Sequence, residues 1–289
     1  MGVRYSRFLH VSEAQSLRVA AQPNKLSEVI GDGRLLTDAE ALAREIDETG
    51  ARIGLPFVAA ATDISSTTPP VGADGRPLAE TLFRWVDPKL RYWEDHGFAL
   101  RAAFIHASRA CSEPFYFQHG RFASWRPNRA LDAITAEGPV DTYGVGAAIV
   151  APAYLPGGVI GAVVWATADP AFDVAATFAE HAAALHALAL RFVATYEEAV
   201  AGSNQPPARL TRREIQCLKW AAAGKTDAEI GHLVAISLPT VRFHVTNAAR
   251  KLGVSGRSQA IQRAATLGYI GSGGSGAASG PVRSQAPTG

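Results

Sequence analysis

The chain has 289 residues, 47% hydrophobic and 19% charged, with a formal net charge of +2. That length accommodates two domains with a substantial core, and so ordinary an apolar share excludes a wholly disordered or fibrous chain. Its two cysteines, Cys111 and Cys217, fall in different regions without metal-ligand spacing, which excludes a disulfide scaffold and fits a reducing, cytoplasmic setting.

Met1–Ala20 carries Arg4, Arg7, Glu13 and Arg18 and no sustained apolar run, so it does not read as a cleavable leader. Met1-Gly2 with Ser6 fits a myristoylation pattern, which we take as coincidence. Residues 1–33 are mixed, with one predicted helix at Ser12–Ala20. Leu36–Glu48 reads as a helix with Thr37 as its cap, and Ile53–Ala61 as a short strand entering a loop. Asp63–Arg76 is rich in Ser, Thr, Pro and Gly and reads as irregular. Arg84–Ala110 reads as mainly helical, interrupted after its end by Pro114–Phe117. From Thr142 to Ala168 no residue is charged, which raises the question of a membrane span. Pro152, Pro156, Gly157 and Gly158 interrupt the run, so two strands, Ala147–Ala151 and Val159–Ala166, joined by a Leu-Pro-Gly-Gly turn, account for it better. Phe172–Ala199 reads as a long Ala-rich helix with Phe178, Leu185, Leu188 and Phe192 at its apolar positions.

Strands flanked by helices predict an α/β/α sandwich for residues 1–200. Ala201–Ala208 (AGSNQPPA) is a linker by composition. An all-α domain of four helices is expected over 209–270. The Gly- and Ser-rich tail, 271–289, cannot form a core and is expected to be disordered.

The all-α segment carries the densest punctuation. Thr211-x-x-Glu214 and Thr226-x-x-Glu229 are two capping boxes, each with a hydroxyl for a free helix N–H and a carboxylate reaching back. Gly224 lies between them, where a helix must end. Ser237 precedes a third periodic segment, with Pro239 tolerated in its first turn. On that segment Leu238, Val241, Val245, Ala248 and Leu252 recur at helical spacing and predict one buried stripe. The other side carries Thr240, Arg242, Phe243, His244, Thr246, Asn247, Arg250 and Lys251 and no acid. An ordinary surface helix would interleave Glu or Asp; an apolar back with a polar, cationic front is what a helix docked in a DNA major groove needs. Charge agrees. Residues 209–270 hold ten Lys/Arg against three acids, a balance of +7, and since the tail adds only Arg283, residues 1–208 stand at −6. A basic module on an acidic one predicts that the small domain meets the phosphate backbone.

These residues resemble the LuxR-type helix-turn-helix family. Its pattern of L-T-x-R-E, A-x-G, E-I-x-x-x-L, S-x-x-T-V-x-x-H and K-L-x-V is met by Leu210, Thr211, Arg213, Glu214, Ala222, Gly224, Glu229, Ile230, Leu233, Ser237, Thr240, Val241, His244, Lys251, Leu252 and Val254. Arg257, Ala260, Ala264, Leu267 and Gly268 continue it, while Gly231 stands where Ala is common. The resemblance implies base contacts at Arg242, Phe243 and Thr246. It implies phosphate contacts at Lys225, Thr226, Thr240, Asn247 and Lys251. Double-stranded DNA is the implied partner, a homodimer the implied assembly and RNA polymerase a candidate contact.

The segment Arg84–Ala168 also looks like the autoinducer-binding domain that many LuxR-type regulators carry, a resemblance that implies a ligand sensor for the α/β/α domain. Tyr143-Gly144-Val145-x-x-Ala148-x-x-x-Pro152 is similar to the family's F-G-L-x-x-G-x-x-x-P, and Pro114-Phe115-x-Phe117 to its P-F-x-W. Tyr92 falls at the family's motif tyrosine. The candidate ligand site is Tyr92, Arg101, Phe115 and Phe117, placed by the resemblance, with Trp93 and Phe104 as further aromatics that could line an apolar pocket. Two departures matter: Arg101-Ala102 replaces the Asp-Pro pair, and Phe117 replaces a tryptophan that donates an indole N–H. An Arg in that site favours an anionic or carbonyl-bearing small molecule over a standard acyl-homoserine lactone; an outward-pointing Arg101 in a shifted register is the open alternative. The same aromatics, with Trp125 and Trp165, also fit plain core.

Other chemistries find little support. His181 and His186, five residues apart, lie on different helix faces, and His106, Cys111 and His119 lack a ligand rhythm, so no metal is expected. Asp32, Asp63 and Asp74 do not end apolar strands as a phospho-receiver requires. No nucleophile–base pair or phosphate loop predicts an enzyme, and no cofactor or membrane association is expected. The alternative to a ligand sensor is a front domain that binds a protein or only dimerises.

Overall fold

A computed structural model describes residues 33–66, 68–87, 89–91, 102–138, 140–201 and 208–271. The helix predicted at Ser12–Ala20, most of the linker and all but the first residue of the tail lie outside them, as do Tyr92, Trp93 and Arg101.

Helix α1 (Gly33–Arg52) buries Leu36, Ala39, Leu42, Ala43, Ile46 and Gly50, a stripe at three- and four-residue spacing. It is longer than predicted at both ends. Thr37 lies inside it and donates its hydroxyl to the Gly33 carbonyl at 3.0 Å, so it is not the cap. Strand β1 (Phe57–Ala61) follows, then the predicted irregular stretch, closed by a bridge between Val71 and Pro77, and a single helical turn, α2 (Leu78–Thr81).

Of the predicted mainly helical Arg84–Ala110, residues 88 and 92–101 lie outside the described residues. Its described part holds a helix only at α3 (Ala103–Ala110), and residues 83–87 are non-helical. The Arg84 carbonyl accepts a hydrogen bond from Val58 N at 2.8 Å, so a partner on β1 takes the backbone group that a helix would have used. Pro114–Phe117, read as an interruption, opens a β-hairpin, β2 (Phe115–Gln118) and β3 (Arg121–Ala123). Its turn, His119-Gly120, has φ of 50° and 76°, the positive pair that suits tight hairpins. Helix α4 (Arg129–Ala136) was not legible; Asn128 caps it by accepting from Ala130 N and Leu131 N.

Strands β4 (Ala147–Tyr154) and β5 (Ile160–Thr167) form the predicted pair, from Ala147 opposite Thr167 to Tyr154 opposite Ile160. With the others they make a five-stranded antiparallel sheet ordered β1-β5-β4-β2-β3. Helix α5 (Val174–Ala201) completes the domain. Alternation assigns the two faces. Ala147, Ile149, Ala151 and Ala153 pack with Val163 and Trp165 against α1 and α5, while Ala148 and Val150 pack on the α3 and α4 side with Phe104, Phe115 and Phe117. Both faces of β4 are covered, which explains the run without charge. Two close approaches fix the α5 layer. A Cβ at Gly161 would lie 2.6 Å from both Val193 methyls, and the buried Trp165 donates its indole N–H to the Ile46 carbonyl at 2.9 Å. The architecture is the predicted α/β/α sandwich. Among the described residues no helix is long and apolar enough to cross a membrane.

The second core belongs to α6 (Arg212–Ala222), α7 (Asp227–Val234), α8 (Leu238–Lys251) and α9 (Arg257–Thr266). Cys217, Leu218, Ile230, Val241, Ala248, Ala260 and Ala264 are buried at its centre. The two cysteines are free and buried in separate cores. Burial pushes both thiols above their ordinary range, away from nucleophilic thiolate chemistry.

Candidate nucleic-acid interface

The α6–α9 module is assembled by the predicted caps. In α6 the Thr211 hydroxyl accepts from Glu214 N at 3.3 Å while Thr211 N donates to Glu214 Oε2 at 2.7 Å. In α7 the same reciprocal pair joins Thr226 and Glu229 at 3.3 and 2.8 Å. Gly224, at φ 78°, turns the chain between them. Ser237 starts α8, accepting from Thr240 N at 3.3 Å. Of the predicted stripe on α8, Val241, Val245, Ala248 and Leu252 are buried, whereas Leu238 is 37% exposed at the helix start, a correction to that list. Gly231 is needed where α7 meets the turn into α8, since a Cβ there would stand 2.8 Å from the Ile236 carbonyl oxygen.

Helix α8 turns an acid-free face outward. Phe243 is 62% exposed, too much for a large apolar side chain held by core packing, and its ring stacks edge-on with His244. The Arg242 side chain is 68% exposed and donates through Nε to Asp227 Oδ2 at 3.4 Å. Thr246 is exposed, and Asn247 Oδ1 accepts from Arg250 at 3.4 Å. Arg242, Phe243 and Thr246 therefore share one exposed helix face, and Arg250 lies at its far end.

The implied phosphate ligands are already engaged. Lys225 Nζ lies 3.6 Å from Glu229 Oε1. The Thr226 hydroxyl donates to Glu229 Oε2 at 2.8 Å, and the Thr240 hydroxyl pairs with Ser237 Oγ at 2.7 Å. Lys251 departs furthest from an outward-facing cation. Its Nζ lies 2.9 Å from Glu214 Oε2, and the Glu214 side chain is only 4% exposed. Burial pushes that carboxyl up, but the Thr211 N–H, the Lys251 ammonium and the Thr211 hydroxyl outweigh it and hold it below the usual glutamate range. Lys251 thus clamps the end of α8 to the start of α6. Sequence reasoning did not find this pair, nor the Asp227 contacts, because they join residues 37, 15 and 30 positions apart.

In the sandwich, Phe104, Phe115 and Phe117 come together on one face of the sheet, with Phe122 among them at centroid separations of 5.2–5.6 Å. All four are buried. Trp165 packs on the opposite face, and Trp125 is exposed against Phe178, so neither joins them.

A capped tri-helical core with an exposed, acid-free third helix defines a helix-turn-helix module. Residues 208–264 match the profile of the bacterial regulatory proteins of the luxR family, so this C-terminal segment is a LuxR-type helix-turn-helix domain. The segment is similar to the transcriptional activator protein VanR of Vibrio anguillarum, 52% identical over 66 residues, which is 23% of this chain and 28% of VanR. It is also similar to the quorum sensing-dependent transcriptional regulator RpaR of Rhodopseudomonas palustris, 50% identical over 62 residues, 22% of this chain and 26% of RpaR. The matches span about a quarter of these relatives' lengths. Among solved structures, the transcription factor GerE is 41% identical over 21% of this chain and 91% of its own, with a TM-score of 0.21. Escherichia coli SdiA is 18% identical over 80% of this chain and 91% of its own, with a TM-score of 0.48.

Proposed function

We propose that this chain is a sequence-specific DNA-binding transcription regulator. Residues 209–270 bind double-stranded DNA, residues 1–200 form the controlling domain, and 201–208 link them. The observation that carries the reading is the exposed, acid-free face of α8, with Arg242, Phe243 and Thr246 available to base edges. Lys225, Thr226, Thr240 and Asn247 flank it toward phosphates. Lys251 acts there only if its ammonium exchanges Glu214 for a phosphate oxygen.

The sandwich is a sensor for a small molecule in this reading, and the ligand is not a standard acyl-homoserine lactone. Phe117 offers no hydrogen-bond donor and is buried among other phenyl rings. Ligand-dependent pairing of two chains would place two modules on a two-fold-related site and present them to RNA polymerase in the cytoplasm. A second reading, a domain that only dimerises or binds a protein, draws support from the edge-to-face packing of Phe104, Phe115 and Phe117 with one another or with Phe122, at centroid separations of 5.2–5.6 Å.

Selection from a random double-stranded DNA pool with the purified chain tests the first claim. Enrichment of a site bound with a steep salt dependence is expected; no enrichment at low salt would refute it. Thermal unfolding with acyl-homoserine lactones, small carboxylates and aromatic amides tests the second. A shift with lactones alone would refute the retuned site, and no shift would favour the dimerisation reading.

A further inference from the structure

Asp227 is out of place on a surface meant for phosphates. It is the first residue of α7, one position after Thr226, and its side chain is only 24% exposed. A carboxylate there repels the DNA backbone and lowers affinity for every sequence alike. Its contacts show what it does instead. Oδ1 accepts from Nη1 of Arg257, whose Nη2 donates to the Lys225 carbonyl, so α9 grips both the carboxylate and the turn that precedes α7. Oδ2 faces Nε of Arg242 at 3.4 Å. Arg242 is thereby held through its inner nitrogen. Both terminal nitrogens are without a hydrogen-bond partner among the described residues.

That arrangement has a chemical consequence. A guanidinium docks end-on against guanine by donating from two of its N–H groups to O6 and N7 in one plane. An unrestrained arginine on an exposed helix face loses rotamer freedom when it does so, and samples orientations that suit phosphate oxygens equally well. A carboxylate bound to Nε restricts the rotation and leaves the outer edge of the fork for the base. We infer that Asp227, braced by Arg257, is a specificity-determining positioning residue: it orients Arg242 toward a G·C pair and disfavours non-specific backbone binding. The inference rests on the proposed DNA-binding function and adds to it the identity of the base pair read by Arg242.

The experiment is selection from a random duplex pool with the full-length chain, comparing wild type with Asp227→Ala, Asp227→Asn and Arg242→Ala. Circular dichroism and thermal unfolding report that each variant is folded. Wild type is expected to enrich a site with one G·C pair per half-site that Arg242→Ala no longer selects. Asp227→Ala is expected to lose about tenfold of the preference at that pair, with equal or tighter binding to random duplex. Asparagine keeps an acceptor for Nε and should lose less, about threefold. That ordering supports a positioning role, because mere destabilisation of the module would weaken specific and random binding together. If Asp227→Ala does not fold, the asparagine variant decides. An unchanged preference in the folded variants overturns the inference while leaving the DNA-binding reading intact. A wild-type protein that enriches no sequence overturns both, and an Arg242→Ala protein with the wild-type preference overturns Arg242 as the reader and Asp227 with it.

Discussion

Lys251→Ala removes the ammonium that sits 2.9 Å from Glu214 Oε2. The carboxylate retains the Thr211 N–H at 2.7 Å and loses its charged partner. A hydrogen bond to a charged group contributes about 1.5–3 kcal/mol. Lys251 is one-third exposed, so water replaces part of the contact and the expected loss falls to about 1–2 kcal/mol. The assay is native-state hydrogen exchange of the α6 and α8 amides in the full-length protein, where that loss lowers protection by about 5- to 30-fold. The pH dependence has a definite sign. Glu214 is held below its ordinary range, so its contribution is fully present above the unfolded-state value and is lost as pH falls through the depressed folded value. Wild type and variant therefore converge in acid. If protection at neutral pH were the same in both, while the salt dependence of DNA binding dropped by about one charge, Lys251 would be a phosphate ligand and the clamp reasoning would be wrong.

Gly231→Ala places a Cβ 2.8 Å from the Ile236 oxygen, a backbone atom that moves only with the turn, so urea unfolding of the module should shift by about 1–3 kcal/mol toward the unfolded state. A gain from helix propensity instead would mean the turn relaxes freely. Trp165→Phe keeps most of the buried ring but leaves the Ile46 carbonyl without the 2.9 Å indole donor. It should cost about 1–3 kcal/mol in the unfolding transition of the sandwich, and a change near zero would refute that contribution. Phe117→Ala opens a hole beside Phe104 and Phe122 and should cost about 3–5 kcal/mol. A small cost recovered on adding a ligand would show a pocket wall in place of core.

The two domains were legible to different degrees for a physical reason. Caps act over three residues and periodicity over one turn, so Thr211, Thr226, Ser237 and the α8 stripe could be read from the chain alone, and they placed Arg242, Phe243 and Thr246 on one exposed face. The same locality betrayed Leu238, whose spacing fits the stripe but whose place at the start of α8 leaves it uncovered. In the sandwich the strongly patterned β4–β5 pair and the long helix were evident. The non-helical start of the segment Arg84–Ala110 was not, because the Arg84 carbonyl is partnered by Val58 of β1, and the β2–β3 hairpin was hidden in a stretch too short to show alternation.

By itself the sequence determined the domain order, the charge asymmetry, the sandwich class and the identity of the outward face of α8, since each is set by composition or by contacts within a few residues. Only the tertiary structure decided which charges of the module are already paired. Lys251 with Glu214, and Arg242 and Arg257 with Asp227, are joined across helices distant in the chain. Side chains brought together by packing leave no local trace in the sequence.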